Sequence, residues 1–121
     1  MTETKKANNY DLEEQTYQFA KNVALFCKKI PRTTSNIEYI KQVVRASGSV
    51  GANYIEANES LSKKIFIMRI KICRKEAKES VYWLRLLIDT NSEDITQTGL
   101  ALMKEAVELK KIFSSIIEKS T

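Results

Sequence analysis

Apolar residues recur at helical spacing along most of the chain, and the stretch from Ser62 to Thr90 shows this pattern most clearly. It contains no Gly and no Pro, so nothing in it interrupts a helix. On a helix with about 3.6 residues per turn, one set of apolar positions forms a continuous stripe and predicts the side that packs in a core. This stripe consists of Phe66, Ile70, Cys73, Ala77, Val81, Leu84 and Ile88.

Two further stripes lie on the same predicted helix. Nearly opposite the core stripe is a basic ridge, formed by Lys64, Lys71, Lys75 and Lys78, with Arg85 at its margin. Between the core stripe and the basic ridge lies a second apolar group, formed by Ile65, Met68, Ile72, Trp83 and Leu86. A helix in a monomeric bundle usually buries one apolar stripe. The second apolar group is therefore a candidate oligomer interface, and the helix is predicted to contact both its own bundle and another subunit.

The same periodicity predicts three more helices. The first covers residues 11–30 and ends at Pro31, because a residue that precedes proline is disfavoured in the α conformation. The fourth follows a loop at residues 91–94 and continues to the C-terminus. Short connections force neighbouring helices to run antiparallel, so the sequence predicts an all-α, up-down-up-down antiparallel four-helix bundle. We expect residues 10–121 to form this single domain, after a polar, flexible N-terminus at residues 1–9.

The second helix is expected to start near Asn36, because Ser35 and Glu38 have the spacing of a capping box, and to run to about Glu59. Its predicted inward stripe is Ile37, Ile40, Val44, Ser47, Gly51, Tyr54, Ile55 and Asn58. Residues 46–52 are almost all small. Each Gly inside a helix costs about 1 kcal/mol relative to Ala, so we expect a neighbouring helix to pack closely on this surface. A break at Gly48 is the alternative.

The composition is that of one folded domain. The chain has 121 residues, of which 43% are hydrophobic and 29% charged, and only three Gly and one Pro argue against a fold rich in tight turns. Cys27 and Cys73 lie on inward stripes and are expected to be reduced and buried. The N-terminus lacks the apolar segment of a signal peptide, and no stretch of about 18 apolar residues is present. We therefore expect a cytoplasmic protein without a membrane association.

The residues that most enzymes use are missing. The sequence contains no His, which removes the usual general base, the Ser-His and Cys-His pairs and the commonest metal ligand. Di-iron centres in four-helix bundles use Glu-x-x-His pairs, which this chain cannot supply. No glycine-rich phosphate loop follows a predicted strand. We expect neither an enzyme nor a metal or cofactor.

Polar residues on the second and third helices have the spacing of a network across a helix contact. One side of the second helix carries Arg45, Ser49, Asn53 and Glu56. On the third helix, the second apolar group is flanked by Glu76 and Glu79. If these two sides meet, Arg45 pairs with a carboxylate of the third helix or of another chain. We interpret the set as a structural network that fixes helix register or subunit geometry. A ligand or catalytic site is the alternative.

The basic ridge allows two interpretations. The net charge is +5, from 20 Lys and Arg against 15 Asp and Glu, which by itself requires no anionic partner. The first is an ordinary solvated face. The second is a nucleic-acid-binding surface, formed where several subunits present their ridges together, that contacts phosphates independently of the nucleotide sequence. Tyr82 lies in line with the lysines and either packs or stacks on a base.

Two blocks of the sequence are similar to a known family. Residues 44–57, VRASGSVGANYIEA, carry an R-x-x-x-S-x-x-x-N-x-x-E pattern, and residues 75–84 read KEAKESVYWL. Both resemble the small four-helix-bundle proteins encoded in intervening sequences of bacterial large-subunit rRNA genes, over about residues 10–118. Many relatives carry a Pro inside the second helix, where this chain has Gly51. The departure implies a straighter helix here.

The resemblance implies an up-and-down four-helix bundle, which some family members assemble into pentameric rings. A related branch, the accessory protein of diversity-generating retroelements, forms a basic pentameric barrel that works with a reverse transcriptase and nucleic acid. The family offers no established catalytic residue to carry over. We therefore expect a non-enzymatic homo-oligomer, a pentamer by this resemblance. Its basic surface would bind the backbone of RNA or DNA, or a nucleic-acid-processing or RNA-associated protein. The alternative is a protein–protein interaction or scaffold module with no nucleic-acid role.

Overall fold

The structure is a computed structural model that describes residues 12–121 in full and, of residues 3–11, the course of the helix alone. Over this part of the chain it contains four long helices, with one short 3₁₀ turn at Glu93–Ile95. The four helices are α1 (Glu3–Cys27), α2 (Thr34–Asn58), α3 (Lys63–Asp89) and α4 (Thr96–Ser120). The prediction of a flexible N-terminus at residues 1–9 falls outside the residues described in full.

Neighbouring helices in sequence are neighbours in space. α2 packs against α1 and α3, while α4 packs closely against α3 and more loosely against α1. Side chains from all four helices are fully buried at the centre, among them Phe19, Val43, Ile70, Leu84 and Phe113. The predicted all-α, up-down-up-down four-helix bundle is confirmed. Within the described residues, no helix combines the length and the apolar character that crossing a lipid bilayer requires.

α3 buries the predicted core stripe between α2 and α4. Ile70, Cys73, Ala77, Leu84 and Ile88 are buried, and the other two members of the stripe are partly buried. The helix begins where the sequence indicates, because Oγ of Ser62 accepts a hydrogen bond from the backbone N–H of Ile65 at 3.1 Å.

α1 ends three residues earlier than predicted. Its last helical residue is Cys27, and the backbone then tightens into i to i+3 hydrogen bonds, from the N–H of Ile30 to the carbonyl of Cys27 at 3.2 Å. The reason is Pro31, which disfavours the α conformation in the residue before it and unwinds the turn that precedes it. Ile30 remains buried although it lies beyond the end of the helix. The predicted end of α1 at residue 30 is therefore wrong.

The predicted capping box of α2 is wrong. The N-cap is Thr33, whose side chain accepts a hydrogen bond from the N–H of Asn36 at 3.2 Å, and the helix starts at Thr34. Asn36 is buried, and its amide exchanges hydrogen bonds of 2.8 and 2.9 Å with the amide of Asn91. This pair joins the first turn of α2 to the loop between α3 and α4.

The buried face of α2 is rotated by about one position from the predicted stripe. Val43, Val50 and Ala57 are buried, whereas Val44 and Ile55 are exposed. α2 packs against both α1 and α3, so its inward direction lies between these two neighbours, and the predicted stripe was centred too close to α1. The helix runs without interruption through residues 46–52, so the predicted alternative, a break at Gly48, is wrong.

One of the two glycines in α2 lies at a close helix contact. A Cβ atom at Gly51 would lie 3.0 Å from Oγ1 of Thr16 on α1, which is tighter than ordinary van der Waals contact. A Cβ atom at Gly48 would have no neighbour within 4 Å. Of these two glycines, only Gly51 therefore serves close packing.

These two glycines give a matched pair of substitutions. Gly51→Leu should lower the free energy of unfolding by about 1–3 kcal/mol, because the new side chain overpacks the contact with Thr16. Gly48→Ala should raise it by about 1 kcal/mol, because the position is open and Ala is the better helix former. Chemical denaturation followed by circular dichroism measures both changes. A Gly51→Leu variant as stable as the parent would show that this surface is not a helix contact.

Candidate functional site

The basic ridge lies on the outward side of α3. Lys64, Lys71, Lys75 and Lys78 are all exposed, on the face opposite the residues buried between α2 and α4. Together with Arg85 they extend over about 32 Å of helix. α3 packs against both α2 and α4. The backbone positions of the ridge residues are therefore fixed relative to one another.

The four lysines form no ion pair with residues 12–121. Among the residues that the structure describes, none of them has a carboxylate oxygen within 4 Å. Arg85 differs, because its Nε lies 3.8 Å from Oδ2 of Asp89. Both of these side chains are exposed, so the pair contributes little stability and exchanges readily for another anion. The ridge therefore presents unneutralised positive charge to solvent.

Two carboxylates of α3, those of Glu76 and Glu79, bind an arginine of α2. Nη2 of Arg45 lies 3.3 Å from Oε1 of Glu76 and 2.9 Å from Oε1 of Glu79, and its Nη1 donates to Oε2 of Glu76 at 3.5 Å. Glu76 is 7% exposed as a side chain, so its charge requires this partner. The hydrogen bond to Glu76 raises the pKa of Arg45 above its usual value, which keeps the guanidinium charged.

Two further residues of the predicted network, Ser49 and Asn53, form a separate cluster with an arginine of α3. Nη1 of Arg69 donates to Oδ1 of Asn53 at 3.0 Å, and Nδ2 of Asn53 donates to Oγ of Ser49 at 2.9 Å. The sequence analysis missed Arg69. It lies two helical turns before Glu76 on the same side of α3, and this spacing is the signal that could have identified it.

Glu56 was predicted to join the network and does not. It is exposed, and within the described residues its carboxylate makes no ion pair or hydrogen bond. The contacts of Arg45 with Glu76 and of Asn53 with Arg69 fix an antiparallel register. In that register Glu56 lies level with Phe66, which offers no polar group.

The second apolar group divides into an open part and a packed part. Ile65 is 46% exposed and Met68 48% exposed, whereas Ile72, Trp83 and Leu86 are partly buried. Trp83 packs against Tyr39 of α2, with ring centroids 6.1 Å apart. Its Nε1 is buried and has no acceptor among the described residues. The uncovered part of the second apolar group therefore lies at the start of α3.

A shallow groove of about 470 Å³ runs along this part of α3. Ile67, Met68 and Ile72 form its apolar floor, and lysines of the basic ridge form its rim: Lys64, Lys71 and Lys75. An apolar floor beside unpaired cations suits an anionic partner or a second copy of the chain.

The thiols do not have the character of catalytic nucleophiles. Cys27 and Cys73 are buried and free, and burial raises the pKa of Cys27 to about 11 and that of Cys73 to about 12. Both therefore remain protonated near neutral pH, and the thiolate is the reactive form. In residues 12–121, no group of three or more Cys, Asp or Glu side chains has the arrangement of a metal site.

The fold and these surfaces define an all-α four-helix bundle whose third helix presents unpaired lysines and an open apolar flank. The model of the 23S rRNA-intervening sequence protein family matches residues 8–115, and the chain belongs to this family. The family predicted from residues 44–57 and 75–84 is thus confirmed.

A solved structure is similar over nearly its whole length. It is the crystal structure of a protein with unknown function from the S23 ribosomal protein family of Bacteroides thetaiotaomicron. The two chains are 28% identical and superpose with a TM-score of 0.80, and the match covers 91% of this chain and 97% of that one. No protein with a curated description matches the chain.

Proposed function

We propose that the protein is a non-enzymatic, oligomeric four-helix bundle that binds the phosphate backbone of RNA or DNA through the basic ridge. The observation that carries this proposal is a row of exposed lysines on the outward face of α3 that have no carboxylate partner in the fully described part of the chain: Lys64, Lys71, Lys75 and Lys78. A phosphate that meets such a lysine displaces bound counterions and breaks no ion pair within the protein.

The contacts of Arg45 support the same proposal. Glu76 and Glu79 lie in the same turns of α3 as Lys75 and Lys78, where free carboxylates would repel a phosphate. Arg45 binds both carboxylates and offsets one of their two negative charges from the α2 side. The negative charge that remains is outnumbered by the four lysines of the ridge.

The open apolar surface supports an oligomer. Ile65 and Met68 are large apolar side chains about half exposed, close to the ridge on the same helix. If other copies of the chain cover these two side chains, the basic ridges of several subunits come close together. The positive charge at one surface then increases with the number of subunits. We propose a pentamer, in keeping with the rings that the family resemblance implies. We propose the cytoplasm as its location, because two buried free cysteines suit a reducing compartment.

One observation favours a second function. The groove beside the ridge has an apolar floor and a basic rim, which fits an acidic amphipathic helix of a protein partner. The protein would then be an interaction or scaffold module, and a nucleic-acid-processing protein could be its partner. The salt dependence of nucleic-acid binding discriminates between the two functions.

Charge reversal on the ridge tests the main proposal. Combined Lys71→Glu, Lys75→Glu and Lys78→Glu should weaken binding of a labelled RNA or DNA oligonucleotide by about 100-fold or more, because phosphate contacts are replaced by repulsion. In the parent, the logarithm of the binding constant should fall linearly with the logarithm of salt concentration. Fluorescence anisotropy measures both, and the oligonucleotide should be recovered intact.

The matched control places the same charge change on α4. Lys104, Lys111 and Lys119 are also exposed, so their combined replacement by Glu alters the net charge equally without touching α3. This control should retain most of the binding. Equal weakening of the two variants, or no binding by the parent at low salt, would refute the proposal and favour the scaffold function.

Substitution of the open apolar residues tests the oligomer. The parent should sediment at about five times the 13.9 kDa chain mass. A variant with Ile65→Glu and Met68→Glu should sediment as a folded monomer, because charge on the uncovered surface opposes association. Leu100→Glu changes a comparably exposed residue of α4 and should leave the mass unchanged. A parent that remains monomeric at micromolar concentration would contradict the oligomer.

A further inference from the structure

We propose that Tyr82 is a base-stacking platform within the basic ridge, which makes the surface selective for single-stranded RNA or DNA over duplex. This inference rests on the proposed function and deepens it by naming the class of nucleic acid. Tyr82 is an aromatic side chain that is not part of the core of the bundle.

Tyr82 lies on the line of the ridge and faces solvent. It follows Lys78 by four residues and precedes Arg85 by three, so these neighbours lie on adjacent turns of the same helix face. Its side chain is 57% exposed, which excludes the interpretation of Tyr82 as a core residue. Within the described residues its hydroxyl makes no hydrogen bond that would explain an exposed aromatic ring at this position.

A chain of three aromatic rings holds Tyr82 in place. Its ring meets the ring of Trp83 edge to face, with centroids 5.0 Å apart and planes inclined by 79°. Trp83 in turn packs against Tyr39 of α2 with centroids 6.1 Å apart. The contact with Trp83 restricts the rotation of the Tyr82 side chain before any ligand arrives, so less conformational entropy is lost on binding. A ring restricted in this way and surrounded by water presents a surface on which a flat group can stack.

Cations stand on both sides of this ring. Lys78 has no carboxylate partner among the described residues, and Arg85 has only the exposed Asp89 at 3.8 Å. A base stacked on Tyr82 would therefore carry its flanking phosphates towards Lys78 and Arg85. Aromatic platforms between basic side chains are the usual means of binding single strands without sequence preference.

The preference for single strands over duplexes arises because stacking on Tyr82 requires a base with an exposed face. In a single strand a base can leave its neighbours and stack on the protein, whereas in a duplex each base is already paired and stacked. A duplex would contact the lysines through its phosphates and gain nothing from Tyr82. An acidic protein helix would gain from the lysines but has no equivalent of the base.

Replacement of Tyr82 by Leu and by Phe tests the platform. Tyr82→Leu removes the aromatic face but keeps an apolar helix-forming residue, and should weaken binding of a single-stranded oligonucleotide by about 10-fold. Binding of a duplex with the same number of phosphates should not change, and the salt dependence should keep the slope of the parent. Tyr82→Phe should bind both as the parent does.

Tyr17→Leu is the matched control, because Tyr17 is 60% exposed but lies on α1. It should bind as the parent does, and circular dichroism should show that both Leu variants are folded. If Tyr82→Leu weakens neither strand form, or weakens both equally, the platform is refuted while the lysine surface stands. If the parent binds neither form at low salt, both the platform and the proposed function are refuted.

Discussion

The burial of one face of α3 between α2 and α4 is the constraint on which the rest of the structure depends. Ile70, Ala77 and Leu84 are fully buried at intervals of two turns along this helix. Burial of that face fixes the rotation of the helix about its axis. Helical periodicity then places Lys71, Lys75 and Lys78 on the opposite face, in contact with solvent. The outward basic face is thus a consequence of the same packing that stabilises the bundle.

The ion pairs of Arg45 connect that packing to the electrostatics of the surface. A buried carboxylate such as Glu76 carries a desolvation cost, which the guanidinium offsets only if its geometry is held. The same guanidinium also binds Glu79, which is half exposed beside the ridge. One arginine on α2 therefore contributes to the register between two helices and offsets part of the negative charge beside the lysines of α3.

The sequence predicts best where the contrast between apolar and polar positions is strong. α3 and its buried stripe were identified correctly because bulky apolar residues alternate there with lysines. The stripe of α2 was displaced by one position, because Ala46, Ser47, Gly48 and Ser49 offer little contrast. The start of α2 is capped by Thr33, close to the predicted Ser35. The buried amide pair of Asn36 with Asn91, 55 residues away, is by contrast a contact that no local pattern reveals. The family resemblance added the correct family but no catalytic residue.

The candidate site was predicted in part for related reasons. Helical spacing was enough to place Arg45, Glu76 and Glu79 on facing sides of two helices, and the structure brings them together. Spacing alone could not show that Glu56 lies level with an apolar residue, since that depends on the register between the helices. Nor could it show that Trp83 is partly covered by Tyr39 while Met68 stays open.

Protection of lysines from acetylation, mapped by mass spectrometry with and without a bound single-stranded oligonucleotide, tests the central claim most directly. The claim is that the outward face of α3 contacts the phosphates. Lys64, Lys71, Lys75 and Lys78 should become protected, while Lys104 and Lys111 on α4 remain reactive. Protection confined to α4, or spread evenly over the exposed lysines, would contradict the account.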